Sequence, residues 1–268
     1  MAKAHGTNSD LADYDRPPVI EVVYGVRFTP LQSWRLGHVG AFWQKVVDEF
    51  PRCEHAIPIT GPDFVDPATS LPIPRVWLIS SADDRLVQLQ SGRFLFNWRR
   101  REGTGPYPRY QTLSKRFFDL FQDFRNFLAE NQLGELDVLE YELTYFNHIF
   151  EQEGWTFPDH IGRVVEHLAW ERELHAFLPP PISTNWQATF QFLEGPGTLT
   201  VKLNTARHRK EEKDLLVLEL SARGRPTDAP LANLQTWFSQ SHRWIVCGFE
   251  DLASDEAQKV LWGKYGRR

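Results

Sequence analysis

Val19-Ile20-Glu21-Val22-Val23-Tyr24-Gly25-Val26-Arg27-Phe28 alternates two sets of residues. Ile20, Val22, Tyr24, Val26 and Phe28 share one parity, and Glu21 and Arg27 fall on the other. Successive side chains of a strand point to opposite faces, so this reads as a β-strand with one apolar face. A second such stretch opens at Val138-Leu139-Glu140-Tyr141, which follows Val19 by 138 − 19 = 119 positions. Its apolar set is Leu139, Tyr141, Leu143 and Tyr145. The offset keeps Ile20 matched with Leu139 and Glu21 with Glu140, so the strand faces survive the comparison.

Similar elements follow each stretch. After the first, Ser33 is placed to cap a helix bearing Leu36, Val39, Phe42, Trp43, Val46 and Phe50, which should stop at Pro51. Prolines 58, 62, 67, 72 and 74 make the region from Cys53 to Pro74 mostly loop with room for one short edge strand. A three-strand meander is expected over 75–80, 86–90 and 93–99, with turns at Asp83-Asp84 and Ser91-Gly92. A long amphipathic helix then presents Tyr110, Leu113, Phe117, Leu120, Phe121, Phe124 and Leu128, and Gly134 closes it.

After the second stretch, Pro158 and Asp159 should start a helix with Ile161, Val164, Val165 and Leu168. Strands are expected over 186–193, 198–204 and 215–222, and Pro230 opens a last helix bearing Leu231, Leu234, Phe238, Ile245, Phe249 and Leu252. The expectation is an α+β fold of pseudo-duplicated β-α-β-β-β-α halves, an antiparallel sheet with long helices packed on one face. The competing reading is two unrelated halves that match by chance. Residues 1–15 read as a flexible N-terminal tail, 16–134 as the first half and 135–268 as the second, all within reach of one continuous domain.

Composition narrows the function classes. A chain of 268 residues, 41% apolar, is long enough to bury a sizeable core. A net charge of −5 gives no global pull toward nucleic acid, so phosphate binding would need a local patch. Two cysteines, Cys53 and Cys247, exclude a disulfide framework and a Cys-based zinc site. The polar first 16 residues are not expected to be a signal peptide, and no run of about 18 apolar residues suits a membrane span. A cytoplasmic setting fits these features.

The opening Pro17-Pro18-Val19-Ile20-Glu21-Val22-Val23-Tyr24-Gly25-Val26-Arg27-Phe28, with the closing Phe249-Glu250-Asp251-Leu252 and Leu261-Trp262-Gly263, resembles a sporadically distributed bacterial family of uncharacterised proteins of about this length. The resemblance implies a bacterial, cytoplasmic setting and carries over no catalytic residue.

Candidate sites are few. Trp98-Arg99-Arg100-Arg101, followed by Tyr107, Arg109, Tyr110, Lys115 and Arg116, interleaves cations with aromatics, a pattern able to hold phosphates and stack bases. The competing reading is a solvated hairpin end. His160, His167 and Glu171, with His175 nearby, could share a helix face and ligate a metal, but no HExxH-like spacing supports them and the surrounding Glu166, Arg172 and Glu173 suit a solvated face. Cys53 sits beside Glu54 and His55 with no third orienting group, and Cys247 lies in an apolar helix. Glu21, Glu140 and Glu142 could meet across neighbouring strands with Arg27, where ion pairing is the simpler role. Trp237 and Trp244 lie at the edge of the last helix's stripe and suit interface anchors. No glycine-rich phosphate loop or serine elbow is present, and no cofactor is implied. These features favour a non-catalytic binding protein whose partner is another protein. The alternatives are an enzyme or small-molecule binder using a sheet-helix pocket, as in helix-grip folds, and a nucleic-acid or nucleotide binder at the Arg-rich hairpin end.

Overall fold

The structure is a computed structural model that describes residues 11–59, 74–152, 155–158, 160–168, 177–179, 181–225 and 231–265. The chain forms β1 (Asp13–Tyr14), β2 (Val19–Phe28), α1 (Leu36–Val46), β3 (Arg52–Ala56), β4 (Arg75–Ile79), β5 (Arg85–Gln90), β6 (Arg93–Arg99), α2 (Arg109–Glu130), β7 (Val138–Phe150), β8 (Asn185–Gln191), β9 (Thr198–His208), β10 (Lys213–Gly224), α3 (Leu234–Leu252), α4 (Asp255–Val260) and β11 (Lys264–Tyr265). It is a mixed α+β protein with a large antiparallel sheet. None of the described helices is long and apolar enough to cross a membrane.

Two compact units divide the chain. The first comprises Glu21–Thr144 and Arg223–Leu234; the second comprises Met1–Ile20, Tyr145–Ala222 and Gln235–Arg268. In the first unit the strand order is β3-β4-β5-β6-β2-β7, and in the second it is β7-β10-β9-β8.

The first unit is built on the expected alternation. Val22, Tyr24, Val26 and Phe28 of β2 are buried, and their register partners in β6 include Trp98, Phe96 and Phe94 on the same face. Helix α2 offers Phe117, Phe121 and Phe124 at helical spacing to that face. Tyr24 stacks on Phe117 with ring centroids 5.2 Å apart, Phe94 meets Phe124 at 5.0 Å, and Phe42 of α1 meets Phe124 edge-on at 5.5 Å. Such offset and edge-on pairs add to the burial of area itself. α1 begins after Arg35, not Ser33: His38 Nδ1 accepts from the Arg35 amide at 2.9 Å, so a third-position imidazole takes the capping role. It ends at Val46, and Pro51 comes immediately before edge strand β3, which starts at Arg52.

The second unit departs from expectation at two places. Among the described residues no α-helix runs from Pro158; short 3-10 turns occupy Ile161–Arg163 and Glu166–Leu168 instead. The cause is visible in the hydrogen bonds. The Val164 carbonyl, which a continuing helix would use, accepts from the Ser254 amide at 2.8 Å, and the Ser254 hydroxyl donates to the Arg163 carbonyl. The same hydroxyl caps α4 by accepting from the Ala257 amide. The second departure is at the N-terminus, where Asp13 and Tyr14 are not a loose tail. They pair with Tyr265 and Lys264 of β11, and buried Tyr14 packs edge-on against Phe249 and Trp262. The Tyr14 hydroxyl donates to Gln258 Oε1, which also accepts from Lys264 Nζ at 2.6 Å.

The expected outcome of Phe121→Ala is a loss of about 3–5 kcal/mol, the cost of truncating a buried phenylalanine among packed rings. Urea or thermal denaturation reads it, and an unchanged midpoint would show that the ring is not part of the core.

Candidate binding surface

Register fixes what lies on the face of the first unit opposite Tyr24 and Phe96. Glu21 pairs with Arg99, Val23 with Asn97 and Arg27 with Arg93. Gln88 and Leu86 of β5, Trp77 and Ile79 of β4, and Glu54 and Arg52 of β3 continue the same face. This side is therefore mixed: Glu21, Asn97, Arg99, Gln88 and Arg52 alternate along it with buried Val23, Leu95, Leu86 and Ile79.

A hydrogen-bonded relay crosses four of these strands. Trp77 Nε1 donates to Gln88 Oε1 at 3.2 Å, Gln88 Nε2 to Asn97 Oδ1 at 2.5 Å, and Asn97 Nδ2 to Glu21 Oε1 at 2.6 Å. Arg75 Nε adds a 2.9 Å bond to Gln88 Oε1. Gln88 and Asn97 are 5% and 4% exposed, so their amides depend on these partners.

Beside the relay, one carboxylate gathers three guanidiniums. Asp83 Oδ1 accepts from Arg99 at 2.8 Å and from Arg52 at 3.3 Å, and Asp83 Oδ2 accepts from Arg101 Nε at 2.6 Å. Burial acts to raise the Asp83 pKa, but the Arg101 hydrogen bond and the charges of Arg99, Arg101 and Arg52 outweigh it and hold the carboxyl below its usual range. Arg52 also pairs with Glu54 at 3.1 Å and the Glu21 charge acts on Arg99, so three guanidiniums share three carboxylates, with Asp83 at their centre. The Trp77 ring lies between two further contacts, with the Arg75 guanidinium 5.3 Å and the Arg99 guanidinium 5.9 Å from its centroid. Further along the same unit, Arg223 pairs with Glu142 at 3.0 Å and with Glu140 at 3.6 Å, and Arg27 with Glu140 at 3.6 Å.

The residues singled out in the sequence are distributed as follows. Arg99 and Arg101 join the Asp83 cluster, whereas Trp98 is 2% exposed on the core face, its ring 5.3 Å from Tyr107. Burial lowers the Arg100 pKa from its ordinary value. Arg109 opens α2 at φ 71°, its guanidinium 6.0 Å from the Tyr107 ring. Trp237 is buried and donates to the Pro196 carbonyl at 2.9 Å; Trp244 is half-buried and stacks on Phe192 at 4.7 Å. His160 Nδ1 accepts from the Thr156 amide, and His167 is exposed in the second 3-10 turn. Glu171 and His175 lie outside the described residues, and among the described residues no three His, Cys, Asp or Glu side chains are grouped to hold a metal ion. Cys53 is exposed on β3, where desolvation and then the Glu54 charge raise its thiol pKa and disfavour a nucleophilic thiolate. Trp77, Asp83, Gln88 and Asn97 were not singled out by sequence. Their common signal is a pairing register, which no local window contains.

In the second unit, Tyr145 Oη and His242 Nδ1 lie 3.2 Å apart, and burial pushes the His242 pKa down to about 3. Comparison of the chain with family models, with curated proteins and with solved structures returned no match.

Two outcomes follow from these side chains. Asn97→Ala strips Gln88 Nε2 of its acceptor and Glu21 of its donor, and should cost about 1–3 kcal/mol in denaturant titrations, the penalty of a buried polar group left unmade. For His242, the unfolded imidazole binds a proton near pH 6.5 while the folded one resists it down to about 3. The unfolded state therefore binds more protons through that window, and stability falls as pH drops from about 6.5 toward 3. His242→Gln should make the melting temperature less steeply dependent on acid over that range.

Proposed function

We propose that this is a non-catalytic cytoplasmic binding protein, and that the charged rim of this sheet face of its first unit recognises a carboxylate-rich segment of a protein partner. One observation carries the reading: Arg52, Arg99 and Arg101 converge on the single Asp83 carboxylate in a chain whose net charge is −5. Guanidiniums gathered at one place in an acidic chain give an anionic ligand several donors there, by exchange with Glu54 and Asp83. Arg75 and Trp77 flank the cluster, and arginine and tryptophan are the side chains that most often dominate protein interfaces.

The same reading places α1 and α2 on the other face of that sheet, which the ring contacts of Tyr24 and Phe94 with α2 support, and gives the partner the exposed rim of this one, Arg52, Glu54 and Arg101. It also keeps the pseudo-duplication of β-α-β-β-β-α halves. What supports that is the strand order, in which β4-β5-β6-β2 and β8-β9-β10-β7 run in the same sequence of elements. The bacterial family resemblance belongs to this reading as well. A nucleic-acid role at the hairpin end is weaker, because Trp98 is buried and offers no stacking face there.

The test is a fluorescent oligo-glutamate peptide titrated at low salt. Binding should weaken steeply with salt, Arg101→Ala and Arg52→Ala should each weaken it about tenfold, a loss of about 1.4 kcal/mol, and Asp83→Asn, which releases the guanidiniums, should tighten it. Tight binding of a single-stranded oligonucleotide in place of the peptide would move the assignment to nucleic acid, and binding of neither would end it.

A further inference from the structure

The strand order has two ends, and they are built differently. β3 spans five residues, Arg52–Ala56, and carries Arg52 and Glu54. β8 spans seven, Asn185–Gln191, with the sequence Asn-Trp-Gln-Ala-Thr-Phe-Gln, holding neither a charge nor a proline. Natural edge strands are usually short, charged, bulged or covered, because their free amides and carbonyls template pairing with another chain. β3 follows that rule and β8 breaks it.

The free groups on β8 can be identified. Asn185 pairs with Asn204 of β9, Trp186 with Leu203, Ala188 with Val201 and Phe190 with Leu199. Just beyond the ladder's ends, the Thr205 amide donates to the Thr184 carbonyl and the Phe192 amide to the Gly197 carbonyl. Bonded and non-bonded pairs alternate along an antiparallel ladder, so the even-numbered residues of β8 bond to β9. The amides and carbonyls of Asn185, Gln187, Thr189 and Gln191 point outward, and among the described residues no strand receives them. Apolar surface accompanies this edge. Phe190 lies opposite buried Leu199 yet is 42% exposed, and Leu193 just beyond is 72% exposed.

The first unit shows what such an edge accepts. Its meander β4-β5-β6 ends on β4, and β3 pairs along β4 from Arg52↔Ile79 to Ala56↔Arg75. The meander β10-β9-β8 of the second unit ends on β8, and the strand order stops there.

We propose that β8 pairs antiparallel with β8 of a second copy of this chain, forming a two-fold dimer. The register follows from parity. Outward groups sit on odd-numbered residues, so odd must face odd, and full overlap centres the axis on Ala188. Gln187 then faces Thr189 of the other copy, Asn185 faces Gln191, and Trp186 faces Phe190, each twice. The four odd positions supply about eight amide-to-carbonyl bonds, two per hydrogen-bonded pair. The aromatic pairs cover the exposed part of Phe190 and are of the kind that favours strand pairing. Because β8 has no charge, self-pairing brings no like charges together, and a two-fold interface needs only self-complementarity.

The test is sedimentation velocity on the full chain across about 1–100 μM, which spans the weak to moderate affinity range. Wild type should sediment as a dimer at the upper end; a monomer throughout overturns the proposal. Gln187→Glu with Thr189→Glu puts like charges opposite each other twice across the axis, and should weaken the dimer about tenfold or more. Thr189→Pro removes an outward donor that β9 does not use and should do the same. Both variants should keep the wild-type circular dichroism spectrum and melt cooperatively, which separates loss of pairing from loss of fold. Mixing the double Glu variant with Gln187→Lys, Thr189→Lys should restore a heterodimer. A double Glu variant that stays dimeric, or a mixture that stays monomeric, shows that any dimer forms elsewhere and overturns the proposal.

Discussion

Two-residue alternation along β2 and β6 is the constraint on which the first unit rests. Tyr24, Phe94 and Phe96 go to one side, where α2 meets them with Phe117, Phe121 and Phe124. Glu21, Asn97 and Arg99 are thereby committed to the other. A one-residue slip of β2 would turn Tyr24 out of the rings and drive Glu21 and Arg27 into them. Core and mixed face are thus not two designs but one register read from its two sides. The relay from Trp77 to Glu21 makes the register specific, because the Asn97 amide finds both partners only when β5, β6 and β2 are aligned as they are.

Local patterning was enough to read most elements. The meander and the long helix are close to the ranges that periodicity gives, since each carries its signal within a window of a few residues. What local reading could not supply depends on partners distant in sequence. The segment after Pro158 has apolar residues at helical spacing, yet Ser254, some 90 positions away, takes the carbonyls a helix would need. Tyr14 looks like part of a polar leader until Lys264 and Gln258 are placed beside it. The candidate surface divides in the same way. Arg99 and Arg101 are legible as cations, but Asp83 reads only as a turn residue until the fold brings Arg52 to it. Trp98 and Trp237 show that composition cannot tell an anchor from a core ring.

Exposed ion pairs add little to stability, about 0–1 kcal/mol each, so the Asp83 cluster is poorly explained as reinforcement. Arg52 is shared between Asp83 and Glu54, whereas Arg99, at 13% side-chain exposure, carries its charge into a partly desolvated place. Burial and then the neighbouring Arg101 lower the Arg99 pKa, the direction expected of a cation held among its own kind. Desolvated and preorganised, such a charge interacts more strongly with an arriving anion than a mobile lysine in water would.

The two edge strands show how one protein can contain both a closed and an open end. An uncharged seven-residue strand rich in aromatic and β-prone residues is a hazard if left bare, since any similar strand can add to it. Were the opposite end equally bare, pairing at both would propagate without limit. β3 prevents this: it is short, and Arg52 and Glu54 stand on it with Arg52 drawn to Asp83. An unguarded edge that meets only its own copy closes on it, so pairing that begins at β8 ends with the second copy and yields a finite assembly, not a fibre.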